Sequence, residues 1–510
     1  MEIVKVSSAA AVGIEGHLVE IEADISGGLP HFTIVGLPDA AVQESRERVR
    51  AAIKNSGCTF PGKRVTANLA PGDLRKEGPA YDLPIAVAVL LSSGQVSADV
   101  SQSLFLGELA LNGTLRHTQG ILPMIAFARD MNFSVAFVPA ADAKEAALIS
   151  GIDIIPVNSM GELVAHLRGE VLLQPFISSE NLLDHSPIRG WRITDLSHIK
   201  GQEQAKRALE VAATGGHNLM MSGPPGSGKT MLACSLSSIL PQMTESEALD
   251  VTKIYSVSGL LPTDTPLITQ RPFRAPHYTI SHAGLVGGGR LPRPGEISLC
   301  HRGVLFLDEF PEFGHAELES LRQPLEDKVI TISRANGNVT FPANFMLVAA
   351  MNPCPCGYYG DSLKECRCSS NEISRYQKRI SGPMLDRLDI FTEVPRVDYD
   401  QLTDDRLGES SENARLRVKN ARQLQLERFR GTDFVCNSEM TPIEVRKFCQ
   451  IDNEGQSLLR TASNRLLLSA RAIHRILKVS RSIADLENTG SITTSHLAEA
   501  IQYRPRSLNI

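Results

Sequence analysis

Apolar and polar residues alternate along 17–25 (His-Leu-Val-Glu-Ile-Glu-Ala-Asp-Ile), the period-two pattern of a half-buried strand, and 31–35 repeats it in short form. Residues 40–55 place apolar positions at helical spacing. The stretch 104–115 reads as a hairpin around Asn112-Gly113, because that dipeptide tolerates the positive φ a tight turn demands. Periodicity fades between 169 and 192, where Pro175 and Pro187 intrude. Strand-like and helix-like segments alternate again from 193 to 395, and 396–510 is helix-patterned with no convincing strand. The pattern predicts an α/β chain: a first domain over 1–168, a linker over 169–192, a second domain over 193–395 and a helical domain over 396–510. No internal repeat or low-complexity tract interrupts this order.

Length and composition agree with that division. A chain of 510 residues, 42% apolar and 21% charged, is globular and long enough for about three domains. A net charge of −5 excludes a globally basic coat but not a local basic channel. The N-terminus lacks a cationic segment followed by an apolar run, and the longest apolar run, 83–91, falls far short of the ~20 residues a bilayer span needs. The expectation is a cytoplasmic chain with no membrane partner. Nine cysteines, an odd number, do not form a secreted disulfide framework.

The strongest chemical signal is Gly223-Pro224-Pro225-Gly226-Ser227-Gly228-Lys229-Thr230, which fits G-x-x-x-x-G-K-[ST] at every fixed position. An apolar segment precedes it and a helical pattern over 231–240 follows, the strand–loop–helix context that the motif requires. The glycines let backbone N–H groups turn inward around phosphate oxygens, and the helix N-terminus adds its dipole. Lys229 is placed to reach the β- and γ-phosphates of ATP, and the Thr230 hydroxyl to ligate Mg²⁺. About eighty residues on, a strand-like run at 304–307 ends in Asp308-Glu309. Asp308 suits Mg²⁺ held through water, and Glu309 suits a general base for the attacking water. The two motifs together predict a nucleotide hydrolase.

These motifs resemble those of AAA+ ATPases, in particular the magnesium-chelatase-like branch. Residues 347–352 resemble the sensor 1 strand, which implies that Asn352 orients the lytic water. Residues 381–389 resemble the arginine-finger segment, implying that Arg387 acts on a neighbouring subunit's γ-phosphate, with Arg379 as the alternative. Ser469-Ala-Arg471 looks like sensor 2, implying that Arg471 contacts the phosphates in cis. A finger acting on a neighbour implies a ring. In this branch two inserts face the ring's pore. One holds Arg271 and Arg274 and, over 251–302, carries six Lys/Arg against two acids. The other, 330–341, reads as a hairpin on Asn336-Gly337 and carries Arg334. Basic, glycine-flanked loops suit a DNA backbone, and Arg271, Arg274, Arg334 and Asn336 are the expected DNA contacts; a solvated loop fits the charge spacing equally well. Residues 411–481 add fourteen Lys/Arg against seven Asp/Glu.

Cys354, Cys356, Cys366 and Cys368 crowd into fifteen positions. Two close pairs joined by a short loop suit a tetrahedral, structural Zn²⁺, with reduced free thiols the alternative. In the first domain, the segments at 76–82, 107–115 and 120–123 resemble the proteolytic domain of Lon. The positions matching its serine and lysine are Ala80 and Leu122, so no peptidase activity carries over. An AAA+ P-loop NTPase module with a helical lid, preceded by a Lon-protease-like α+β domain, resembles the ComM/YifB-type family. That resemblance implies a homo-hexameric, ATP-driven helicase or translocase promoting branch migration of single-stranded or branched DNA in natural transformation and homologous recombination. A magnesium-chelatase subunit acting with partners on a porphyrin is the alternative; an ATP-dependent protease and a non-enzymatic scaffold fit less well.

Overall fold

The computed structural model describes residues 4–76, 78–177, 194–262, 265–289, 292–334, 337–361, 363–402, 407–432 and 434–505. Most of the linker expected over 169–192 lies outside these residues. Two compact units emerge: 1–186 with 245–269, and 187–244 with 270–510.

The first unit is built on a seven-stranded mixed sheet of order β3-β4-β2-β1-β5-β8-β9, with β1 Lys5–Val12, β2 Glu15–Ser26, β3 His31–Val35, β4 Arg64–Ala70, β5 Ser103–Phe105, β8 Val135–Pro139 and β9 Asp153–Val157. The alternation at 17–25 is expressed in β2, whose inward Val19, Ile21 and Ala23 are buried. The Ala40–Asn55 helix has the expected limits, with Asp39 capping Val42 N–H at 2.8 Å. The hairpin expected over 104–115 is smaller: β6 Glu108–Leu109 pairs with β7 Leu115–Arg116 around Gly113 (φ +86°). Leu104 instead pairs with Ser7 in the main sheet, because a strand buried on the sheet removes more apolar surface than a longer ribbon does. Ala80 lies in the Pro79–Tyr81 turn, and Leu122 is buried in the Ile121–Asp130 helix.

The Glu245–Ser258 helix departs from the sequence reading. It belongs by sequence to the 193–395 region, yet it groups with the first unit. Its Ser256 carbonyl accepts from Gly120 N–H (3.3 Å), and its Ser256 hydroxyl donates to Glu145 Oε1 (2.5 Å). The same carboxylate oxygen accepts from the backbone N–H of Leu122 (3.2 Å). Six of its residues are buried, which gives the segment a reason to stay docked.

The second unit holds a five-stranded, all-parallel sheet of order β11-β14-β17-β10-β18: β10 Leu219–Ser222, β11 Phe273–Arg274, β14 Val304–Leu307, β17 Met346–Met351 and β18 Ile390–Glu393. Strand β17 lies between β10 and β14, so the ends of all three meet at one edge. Two ribbons stand apart from this sheet, β12 Gly287–Gly288 with β13 Arg293–Pro294, and β15 Val329–Arg334 with β16 Gly337–Pro342. The second is the expected hairpin, with Arg334 opposite Gly337; Asn336 lies outside the described residues. From Ser411 to Gln502 the described elements are all helical, as the pattern predicts. Among the described residues no helix is long and apolar enough to cross a membrane.

Candidate active site

Strand β10 delivers the chain into the 223–228 loop, and the Lys229–Ile239 helix leaves it. Gly226 and Gly228 adopt φ of +76° and +91°, which side-chain-bearing residues rarely adopt. Gly223 is needed for another reason: a Cβ there would sit 2.1 Å from the Val394 carbonyl oxygen. Lys229 Nζ donates to the carbonyl oxygens of Gly223 (2.8 Å) and Pro224 (2.9 Å), and to Asn352 Oδ1 (3.3 Å). Burial lowers its pKa below the usual lysine value, while Asp308 pulls in the opposite direction. Thr230 Oγ1 donates to Asp308 Oδ2 at 3.0 Å, so the two groups expected to share a Mg²⁺ already touch. Glu309 follows in a left-handed conformation (φ +53°), with its N–H on Asp308 Oδ1. Such a conformation costs energy in a residue with a side chain.

Lys229, Thr230, Asp308 and Asn352, brought from positions up to 123 residues apart, form one connected cluster. Tyr376 adds a group that motif reading missed. It is buried, and burial together with Glu312 raises its phenol to about 12, with Glu309 also contributing.

Arg387 is buried, donating to the Pro383 carbonyl (2.6 Å) and pairing with Glu326 (2.6 Å). Arg379 is half-exposed and pairs with Glu312 at 2.6 Å. Arg471 lies exposed in the first turn of the Ala470–Leu486 helix, capped by Ser469. A buried polar network with no local sequence signal runs through the Arg387 carbonyl. Asp389 accepts from Asn218 N–H (3.0 Å) and pairs with Arg475, while the Arg387 carbonyl accepts from Asn218 Nδ2 (3.1 Å) and Arg475 (3.2 Å). Burial alone would raise the Asp389 carboxyl, but Arg475, His217 and the Asn218 N–H hold it well below the usual range. Fully buried His217 bonds Ser482 Oγ at 2.8 Å, and burial lowers its pKa.

Arg271 and Arg274 are not free fingers. Arg271 donates to the carbonyls of Pro241 (2.7 Å) and Arg302 (2.8 Å), and Arg274 makes a two-pronged pair with Glu296 at 2.5 and 2.6 Å. Both guanidinium groups are committed to holding the start of their insert. Arg334 ends β15 in the hairpin.

The sulfurs of Cys354, Cys356, Cys366 and Cys368 all lie within 4.8 Å of one another. Three of the separations are 3.4, 3.6 and 3.7 Å. Four thiolates 2.3 Å from a tetrahedral zinc stand about 3.8 Å apart, whereas a disulfide needs about 2.05 Å, so the set fits Zn²⁺. Backbone N–H groups of Tyr358 and Arg367 pull the Cys356 thiol down to about 6, while the neighbouring sulfurs push the Cys366 and Cys368 thiols up. The cluster adjoins the phosphate loop: a Cβ on Gly357 would meet Pro225 Cδ at 2.5 Å.

Comparison with known proteins places the chain in a family. Family models described as "Magnesium chelatase, subunit ChlI", "Subunit ChlI of Mg-chelatase" and "Magnesium chelatase, subunit ChlI C-terminal" match residues 195–402, 21–142 and 408–504. The competence protein ComM of Haemophilus influenzae is 45% identical over 99% of this chain and 98% of its own. YifB of Escherichia coli is 42% identical over 98% and 96%. A Lon protease of Rhizobium meliloti is 23% identical over 32% of this chain and 21% of its own. With an α/β P-loop module, a helical C-terminal region and full-length likeness to these relatives, the chain belongs to the ComM/YifB-type, magnesium-chelatase-like AAA+ family.

Proposed function

We propose that the chain is the subunit of a cytoplasmic homo-hexameric ring that hydrolyses ATP to translocate DNA and drive branch migration during uptake and recombination. The observation that carries the hydrolase reading is the joined cluster of Lys229, Asn352, Thr230 and Asp308 at the mouth of a parallel sheet. Lys229 exchanges its contacts with the Gly223 and Pro224 carbonyls for the β- and γ-phosphates when ATP enters. Thr230 and Asp308 would hold Mg²⁺, which would neutralise charge on the phosphates. Glu309 accepts a proton from the attacking water, oriented by Asn352. Arg471 steadies the phosphates from the lid. Arg387 reaches a neighbouring subunit's γ-phosphate after exchanging Glu326 for it, and Arg379 is the second candidate on the same segment. The four cysteines hold a structural zinc.

The DNA substrate is supported by the likeness to a competence protein and by the hairpin in which Arg334 stands opposite Gly337. Arg271 and Arg274 act on DNA through the insert they hold in place. The test of the hydrolase is a pair of variants. Lys229→Ala loses ATP binding, because it removes charge from the phosphates. Glu309→Gln binds ATP and stalls, because only activation of water is lost. Equal ATP affinity in Lys229→Ala and wild type overturns the assignment.

A further inference from the structure

Between β11 and the His282–Val286 helix, the rings of His277 and Tyr278 lie against each other as a tilted pair partly open to solvent, with centroids 4.2 Å apart and planes at 32°. Tyr278 is 36% exposed. An aromatic side chain left in water forgoes much of the stabilisation that burial supplies, so an exposed pair needs another reason to stand there.

The loop presents these rings rigidly. Arg274 and Arg271 fasten its start to Glu296 and to main-chain carbonyls, as described above. Ile280 N–H closes a turn on the His277 carbonyl (2.9 Å), Thr279 Oγ1 bonds His277 Nδ1 (2.9 Å), and Ser281 caps Gly284 N–H (3.1 Å). The sequence from 275 to 295 contains no Asp or Glu, while Arg290 and Arg293 lie within it. The charges this stretch itself offers a polyanion are therefore positive, while the His315–Ser320 helix packed against His282–Val286 carries Glu317 and Glu319. Exposed, pre-organised aromatic faces in an acid-free stretch match the way single strands are held, by bases stacking on rings with little regard to sequence.

We infer that His277 and Tyr278 form a stacking platform for unpaired bases of single-stranded nucleic acid. The inference rests on the DNA reading above and adds how the strand is gripped: through base faces as well as phosphates. A duplex keeps its base faces covered, so the platform discriminates in favour of single strands.

The test is anisotropy of a labelled oligothymidine bound to the full chain with ATP, over a series of salt concentrations. Tyr278→Ala should weaken binding by roughly 5- to 150-fold, the loss expected for one stacked base. It should leave the slope of log affinity against log salt unchanged, because no phosphate contact is removed. Tyr278→Phe, which keeps the ring, should bind as wild type does. An oligonucleotide with abasic sites should lose affinity for the wild type and lose much less for Tyr278→Ala. Wild-type affinity in Tyr278→Ala overturns the platform, and so does a slope flattened by about 0.7, which marks a lost phosphate contact instead. Failure of Tyr278→Ala to assemble, read by light scattering, assigns the rings to a subunit contact and overturns it too. If the wild type itself binds no nucleic acid, the DNA reading falls rather than the platform alone.

Discussion

Replacing Asp389 with Asn isolates the buried network that fastens the helical lid to the sheet. Asp389 is 5% exposed and is the countercharge for Arg475, with Arg504 and Lys478 close enough to feel its field. Asparagine keeps an acceptor for the Asn218 N–H but removes the charge, leaving these cations uncompensated. Breaking a buried pair costs ~3–5 kcal/mol, and the retained hydrogen bond places this substitution near the lower end. For a unit of about 300 residues ~3 kcal/mol lowers the melting transition by roughly 5 °C, measurable by calorimetry at pH 7. The pH dependence follows from the sign of the shift. A carboxyl held below its unfolded value contributes stability above about pH 3.9 and loses that contribution as pH falls through the folded value. The gap between wild type and Asp389→Asn should therefore be full at neutral pH and narrow below about pH 4. Adding Arg475→Gln should restore part of the loss, because the cation paired directly with Asp389 is then gone while Arg504 and Lys478 remain. A melting point within about 1 °C of wild type at pH 7 would refute the reasoning.

Metal analysis of protein purified without chelator should give close to one zinc per chain; Cys366→Ser/Cys368→Ser should lose it together with stability near Asn352, and a metal-free wild type contradicts the site. Arg387→Ala should bind ATP near normally but turn over ~10³-fold more slowly, and mixing it with Glu309→Gln should partly restore turnover at composite interfaces; wild-type turnover in an assembled Arg387→Ala ring would hand the role to Arg379. Arg334→Ala should flatten the salt slope of single-strand binding by about 0.7, whereas Arg274→Ala should lower thermal stability with little change in slope; the reverse pattern would move the DNA contact to the base of the insert.

The phosphate site was legible because its chemistry lies in consecutive residues. A loop that must turn backbone N–H groups inward writes Gly226, Gly228, Lys229 and Thr230 in one line, and a buried strand ending in acids writes 304–309 in another. Helix limits such as Ala40–Asn55 were legible because the polar cap Asp39 and the apolar spacing agree. The network of His217, Asn218, Asp389 and Arg475 was not, since its members lie up to 258 positions apart and each reads locally as an ordinary polar residue. The Glu245–Ser258 helix carried no sign of its allegiance, because its docking depends on Glu145, more than a hundred residues upstream. At Arg271 and Arg274 spacing shows only charge; the fold adds that Glu296 and main-chain oxygens take up their guanidinium groups.

Whether ATP hydrolysis at this site moves DNA is read by three-strand branch migration: a labelled strand in a partly exchanged joint molecule, followed by gel mobility after addition of protein and Mg-ATP. The wild type should drive exchange to completion in an ATP-dependent manner, and Glu309→Gln should bind the joint molecule without resolving it. A wild type that hydrolyses ATP at the same rate with and without DNA, and leaves the joint molecule where it started, would rule out DNA as the polymer moved and point to a different substrate for the same motor.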